Sequence, residues 1–236
     1  MATIDSNRIL RGIMSQDQWT AVDGYINELF APPDPALEAA LRDSAEAGLP
    51  AIQVTPSQGK LLAILAQSIG ARTILEIGTL GAYSTIWLGR ALPPAGRLVT
   101  LEVNPKHAGV ARKNLERAGL DKLVELRLGP ALELLPLLTA EGRGPFDLVF
   151  IDADKLNAAE YFAWSLKLAH AGSLIITDNV VRQGSLVDAH SQDENVQGMR
   201  RFSKALAAEK RVSASVIQTV GSKGYDGFAI ALVKNG

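Results

Sequence analysis

Residues 73–85 read TILEIGTLGAYST. The run Thr73–Ile77 is short and apolar, as a buried strand should be, and it stops at a glycine. Gly78 and Gly81 let the backbone turn tightly, and a helix opens near Tyr83. Taken alone, this stretch reads equally well as an ordinary strand-to-helix turn. The segments downstream of it give it a fold.

From Arg97 onward the rhythm repeats. Apolar runs at Arg97–Glu102, Leu123–Leu128, Phe146–Asp152 and Ser173–Asp178 alternate with helical stretches that start near Pro105, Pro130 and Asn157. Strands separated by helices imply right-handed crossovers and a parallel sheet covered on both faces. The chain ends differently. A helix around Val196–Glu209 precedes the strands Val212–Thr219 and Gly227–Val233, joined by the turn-rich Val220–Asp226. That pattern predicts an antiparallel hairpin on one side of the sheet. The fold class is therefore α/β, Rossmann-like: seven strands, one of them antiparallel, with helices on both faces.

Upstream the pattern is helical. Trp19, Val22, Ile26 and Leu29 share helical spacing within Gln16–Phe30. Asp34-Pro35 then caps and opens a second helix running to about Gly48, and Thr55-Pro56 opens a third. No linker divides the chain, so residues 1–50 are expected to form a helical cap on the core of residues 51–236.

The chain has 236 residues, 47% hydrophobic and 21% charged, with a net charge of -1, which excludes the basic excess of a nucleic-acid binder. Cysteine is absent, so any metal must be held by oxygen or histidine. No apolar run reaches the roughly 18 residues of a membrane span. The start MATIDSNRILRGIMSQ lacks the basic and apolar stretches of a secretory signal. The expectation is a cytoplasmic enzyme or binding protein.

In open parallel sheets, ligands bind beyond the carboxyl ends of the strands. The turn after the first strand departs from the dinucleotide pattern G-x-G-x-x-G, because Leu80 and Tyr83 stand where glycines belong. Glu76, just before the turn, suits a ligand's ammonium group better than a phosphate. Glu102 ends the second strand 24 residues after Gly78 and can accept hydrogen bonds from both hydroxyls of a ribose. It could also cap the helix that begins at Pro105. Together the two strand ends describe a nucleoside site without a phosphate site. At the next pair of strand ends stand Asp152, then Asp178 and Asn179. Two buried carboxylates are costly together unless a cation or proton intervenes, and a hard divalent ion with oxygen ligands meets that need.

Six segments, IQVTPSQG, ILEIGTLGAYST, LEVNPKHAGVARKNLERAGL, FDLVFIDADK, LIITDNVVRQG and GSKGYDGFAIAL, succeed one another from Ile52 to the C-terminal strands. In that order they resemble the class I S-adenosylmethionine (SAM)-dependent methyltransferases. Within these they are most similar to the cation-dependent O-methyltransferases, the group of the caffeoyl-CoA and catechol enzymes. The first fifty residues match less clearly. The resemblance implies that Val54, Glu76, Gly78, Thr79, Ser84, Glu102, Ala131 and Asp154 line a SAM site, with Gly129-Pro130-Ala131 beside the adenine. It implies that Asp152, Asp178 and Asn179 hold a divalent cation, Mg²⁺ by default, with Mn²⁺ or Ca²⁺ also compatible. Lys155, beside Asp152, becomes the candidate general base, with a helix-start lysine or an electrostatic partner of a phenolate as its other readings. The implied reaction methylates a hydroxyl of a catechol-like small molecule, and a homodimer is implied as well.

Two other functions fit parts of the pattern. A nicotinamide-dependent oxidoreductase conflicts with Leu80 and Tyr83 and leaves the acids unexplained. A non-catalytic nucleoside-binding protein would not need Asp152, Lys155, Asp178 and Asn179. His107 and His170 read as structural or exposed helix residues, and Tyr161, Phe162 and Trp164 as packing. The polar stretch Arg182–Glu194, with His190, reads as a loop able to cover the acceptor. Tyr225, in the hairpin turn, belongs near the acceptor pocket or the dimer contact.

Overall fold

A computed structural model describes residues 15–235, and the expectation drawn from the extreme N-terminus falls mostly outside that range. Strands β1 (Thr73–Ile77), β2 (Arg97–Glu102), β3 (Val124–Leu128), β4 (Phe146–Ile151), β5 (Ala169–Asp178), β6 (Val212–Gly221) and β7 (Gly224–Val233) form one sheet in the order β3-β2-β1-β4-β5-β7-β6. The first five pair in parallel, and β7 runs antiparallel to both β5 and β6. The helices are α1 (Gln16–Phe30), α2 (Pro35–Glu46), α3 (Pro56–Ser68), α4 (Tyr83–Ala91), α5 (Pro105–Arg117), α6 (Ala131–Ala140), α7 (Ala158–Lys167) and α8 (Glu194–Ala208).

Side chains alternate across a strand, so each central strand feeds two cores. Leu75, Ile77, Val99, Leu101, Val149 and Ile151 pack against α6, α7 and α8. Ile74, Leu98, Leu148, Phe150 and Ile176 pack against α3, α4 and α5. At about 1.5–3 kcal/mol for each fully buried Leu, Ile or Phe, these layers outweigh a few strained turns at about 1–3 kcal/mol per residue. Helix starts follow the cap-plus-proline signals. Asp34 Oδ1 accepts from the backbone N–H of Ala36 and Leu37, each at 3.0 Å, and Asn104 Oδ1 accepts from Lys106 N–H at 2.9 Å.

Two stretches differ from the sequence reading. The hairpin turn is far tighter than Val220–Asp226, because Val220 pairs with Tyr225 and Gly221 with Gly224, leaving Ser222-Lys223 as the turn. Gly224, at φ 90°, takes the left-handed geometry that closes it. The stretch Arg182–Glu194 is partly structured, with a 3-10 segment at Arg182–Val187 and α8 beginning at Glu194 under an Asp193 cap. The N-terminal helices also differ from one another. α2 buries Leu37, Ala39 and Ala40 in the core, whereas α1 buries none of its residues and lies along α3 and β6. Among the described residues no helix is long and apolar enough to cross a membrane.

Candidate active site

The carboxyl ends of β1, β2, β4 and β5 meet around one cavity of about 550 Å³. Gly78 is fixed by close approach: at φ 103°, a Cβ there would lie 2.2 Å from the Asp152 carbonyl oxygen. The β1 and β4 tips therefore touch through bare backbone. Leu80 (φ 51°) and Ala82 (φ 68°) are left-handed without being glycine, a conformation that costs energy and persists where surrounding contacts over-determine it. Glu102 supplies such contacts. Its Oε2 accepts from Leu80 N–H at 2.8 Å and its Oε1 from Asn104 N–H at 2.8 Å. His107 Nδ1 lies 3.5 Å from Oε1. Glu102 thus braces the turn and the residue that caps α5, Asn104, and it lines the cavity.

Glu76 sits differently from its neighbours on the strand. It lies on the Ile74 side of β1, facing α4, and is fully buried at 0% exposure. Ser84 Oγ donates to Oε1 at 2.6 Å, and Thr85 Oγ1 and Thr100 Oγ1 donate to Oε2 at 2.5 and 2.7 Å. Register explains the last contact, because Glu76 pairs directly with Thr100 across β1 and β2. Thr79 Oγ1 and Thr100 Oγ1 are 2.6 Å apart, so with Thr100 donating to Glu76, Thr79 donates to Thr100. Burial pushes the Glu76 carboxyl up to about 7 against the pull of the three hydroxyls, with the Asp152 charge adding to the rise.

Of the residues singled out for the cofactor, Val54, Gly78, Thr79, Ser84, Glu102, Ala131 and Asp154 line this cavity, and Glu76 does not, touching it only through Ser84. Asp152, Lys155 and Asn179 line it too. Asp178 lines a neighbouring cavity of about 280 Å³ that shares Ile52, Gln53, Val54 and Asn179 with the first. Lys155 is buried and donates to Asp152 Oδ1 at 2.8 Å. Asp178 is 6% exposed. Burial and then the charge of Asp152 push its carboxyl up to about 7, with Lys155 pulling the other way. Asn179 comes next at φ 55°, its N–H donating to Asp178 Oδ1 at 2.9 Å.

The donor chemistry suits a hard divalent cation: two carboxylates that burden each other, plus one amide oxygen. Among the described residues no group of three or more His, Cys, Asp or Glu could hold a metal.

Sequence reading missed several lining residues. Tyr161, taken as packing, donates to Asp154 Oδ2, while Asn157 donates to Oδ1 through N–H at 3.0 Å and Nδ2 at 2.8 Å. This fixes Asp154 at the cavity edge. Both partners sit within seven residues of Asp154, a spacing visible in the sequence once Asp154 is placed at a helix start. His107 and Arg182 also line the cavity. Lys223 lines the smaller one, brought there by the hairpin with no local signal.

A strand-end carboxylate without a phosphate cradle, with titratable groups closing the far side of the cavity, describes a Rossmann-like nucleoside site beside reactive groups. The chain belongs to the O-methyltransferase family, whose model matches residues 29–232. It is 53% identical over 221 residues to a catechol O-methyltransferase of Niastella koreensis, covering 94% of this chain and 100% of that one. The structure of the Bacillus cereus O-methyltransferase in complex with SAH superposes with a TM-score of 0.92 at 55% identity, covering 93% of this chain and 100% of that chain. That of TomG from Streptomyces achromogenes, an O-methyltransferase in complex with SAM, gives 0.91 at 49%, covering 94% and 100%. The oxidoreductase and the non-catalytic binder are thereby set aside.

Proposed function

We propose that this O-methyltransferase moves the methyl group of SAM to a hydroxyl of a catechol-like small molecule, with a divalent cation, Mg²⁺ by default, held by Asp152, Asp178 and Asn179. One observation carries the reading: Asp152, Lys155 and Asn179 line the same cavity as Glu102 and the β1 turn. A nucleoside seated on Glu102 is thus within one enclosure of the acidic cluster. SAM- or SAH-bound relatives support the cofactor, and the relative named for catechol supports the acceptor.

The chain's own residues divide the work. In this reading Glu102 accepts the ribose hydroxyls, Thr79 and Ser84 line the methionine end, and Ala131 leaves room for the adenine. Asp154, fixed by Tyr161 and Asn157, faces the cofactor. When bound, the cation would lower the pKa of a chelated hydroxyl and orient it. Lys155 is placed to take the acceptor proton. Its ammonium is paired with Asp152 here, and a base role needs that pairing relaxed so that Nζ can be neutral. Alignment of acceptor and donor across these two adjoining cavities supplies much of the acceleration.

We also read the enzyme as a homodimer. Val22, Tyr25, Leu29 and Phe30 on α1, and Val216, Ile217 and Val220 on the edge strand β6, are exposed apolar residues on elements that touch each other. An open edge strand beside an apolar helix is a surface that a second copy would cover.

The test is a methylation assay on catechol with SAM, with added Mg²⁺ or with excess EDTA. Methylation that needs the cation is expected. Full activity in EDTA would overturn the metal assignment, and no methylation of any vicinal diphenol would overturn the acceptor class.

A further inference from the structure

The smaller cavity carries a charge that the reaction above does not use. Lys223, in the two-residue hairpin turn, lines it. Its Nζ donates to the backbone carbonyls of Gln53 and, at 3.4 Å, Ala51. It forms no direct ion pair among the described residues, although it faces the charges of Asp152 and Asp178. The other acids around this cavity are engaged elsewhere. Asp23 Oδ2 accepts from Ser222 N–H at 2.7 Å. Asp226 Oδ1 accepts from the N–H groups of Val181, Arg182 and Gly227 at 2.9, 3.0 and 2.9 Å. On the adjoining cavity, Arg182 holds a buried Nε with no hydrogen-bond partner.

Resting on the proposed function, the balance of charge goes one step further. If Asp152 and Asp178 are taken up by a divalent cation, their charge no longer answers Lys223. The smaller cavity is then left with a lysine held by carbonyls alone, and the adjoining one with an arginine that has an open donor. Partly desolvated cations of this kind attract an anionic partner. We propose that Lys223 is a specificity-determining residue that binds an anionic substituent of the acceptor, so that the enzyme favours carboxylate-bearing vicinal diphenols over neutral ones. The third N–H of its ammonium is the donor left for that group. Lys223 and Asp178 line the same small cavity, beside Asn179, which fits a diphenol whose hydroxyls face the acids and whose acid group faces the lysine.

The experiment compares 3,4-dihydroxybenzoate with catechol on the full chain carrying Mg²⁺. KM and kcat are measured for the wild type, Lys223→Met and Lys223→Arg. Calorimetric titration of each diphenol in the presence of SAH provides a readout that needs no turnover. Lys223→Met is expected to raise KM and Kd for 3,4-dihydroxybenzoate about tenfold and to leave those for catechol within twofold. Lys223→Arg should restore most of the loss. In the wild type, raising the salt concentration should weaken 3,4-dihydroxybenzoate binding and spare catechol, a comparison that needs no variant to fold. Equal losses for both diphenols would mean that Lys223 only ties the hairpin to residues 51–53, and the inference would fall while the proposed function stood. A salt effect equal for both diphenols would also overturn it. If the wild type methylates neither compound, the proposed function itself fails.

Discussion

Glu76 gives the sharpest physical prediction, because it is a carboxylate sealed among hydroxyls with its pKa displaced upward. Its ordinary value of 4.5 rises to about 7, with burial as the main cause. Below pH 4.5 the group is protonated in both folded and unfolded chains and has no effect. Between 4.5 and about 7 the folded chain keeps a proton that the unfolded chain releases, so stability falls as pH rises. Above 7 the full cost applies, and at 1.36 kcal/mol per pH unit the gap is about 3 kcal/mol. Glu76→Gln keeps the shape and removes the charge. One of its hydroxyl partners must turn to accept from the new amide, at about 1 kcal/mol. The net expectation is a gain of about 2 kcal/mol at pH 8, or roughly 4–8 °C in Tm for a chain of this size, and a small loss at pH 5. Thermal scans in EDTA without SAM, from pH 4.5 to 8.5, measure this directly. If the variant and the wild type trace parallel curves over that range, Glu76 is ionised in the fold throughout and the effect of burial is refuted. Titration with SAM at pH 8 separates a second question: a partner of the cofactor's ammonium loses affinity at least tenfold in the variant, whereas an anchor of the turn does not.

Other perturbations test the rest of the site. Asp152→Ala and Asp178→Ala should each abolish turnover and leave SAH affinity within about threefold; retained turnover in either would remove it from the chemistry. Glu102→Ala should weaken SAH binding at least tenfold, since hydrogen bonds to a charged acceptor contribute about 1.5–3 kcal/mol each; an unchanged Kd would take Glu102 out of the cofactor site. At the far end of the sheet, His170 Nε2 lies 2.8 Å from Asp147 Oδ1, which raises the histidine pKa and, with Arg72 and Thr73, lowers that of the aspartate against burial. The histidine's contribution is present below 6.5 and lost as pH rises through its raised folded value, while the aspartate's is present above 3.8 and lost as pH falls through its lowered one. His170→Ala should therefore lower Tm at pH 5.5 and leave it unchanged at pH 8.5; an equal drop at both would show that the pair is not acting through charge.

What could be read in the sequence was whatever is local. Strand and helix rhythm, cap-plus-proline starts and the glycine turn depend on neighbours within a few residues, and β1, β2, α3 and α5 begin where those signals stand. The hairpin turn was overestimated because Gly221, Ser222 and Gly224 advertise a loop, whereas pairing across β6 and β7 recovers all but two residues. Strand ends pointed to the site, since β1 through β5 are parallel and their termini share one edge. The facing direction of a side chain at such an end was harder to read. Glu76 and Glu102 both belong to strand ends near the cavity, yet Glu76 falls on the α4 side of the sheet and does not line it. Lys223 reaches the smaller cavity by a contact spanning 170 residues, from hairpin to Gln53, and no local pattern encodes that.

The same alternation explains why the acidic cluster can form at all. Ile151 pairs with Thr177 across β4 and β5, so the next residues, Asp152 just past β4 and Asp178 at the last position of β5, stand at one level. Leu148–Ile151 and Leu174–Ile176 are wholly apolar before that point, and the two carboxylates arrive together. In a parallel sheet, with the chain leaving each strand in the same direction, equal register is enough to bring two acids side by side without any contact in sequence. A register slip of one residue would turn one of them to the opposite face. The buried Phe150 and Ile176, themselves partners in the ladder, are therefore as necessary to the site as the carboxylates, because their packing holds the register that makes the two acids meet.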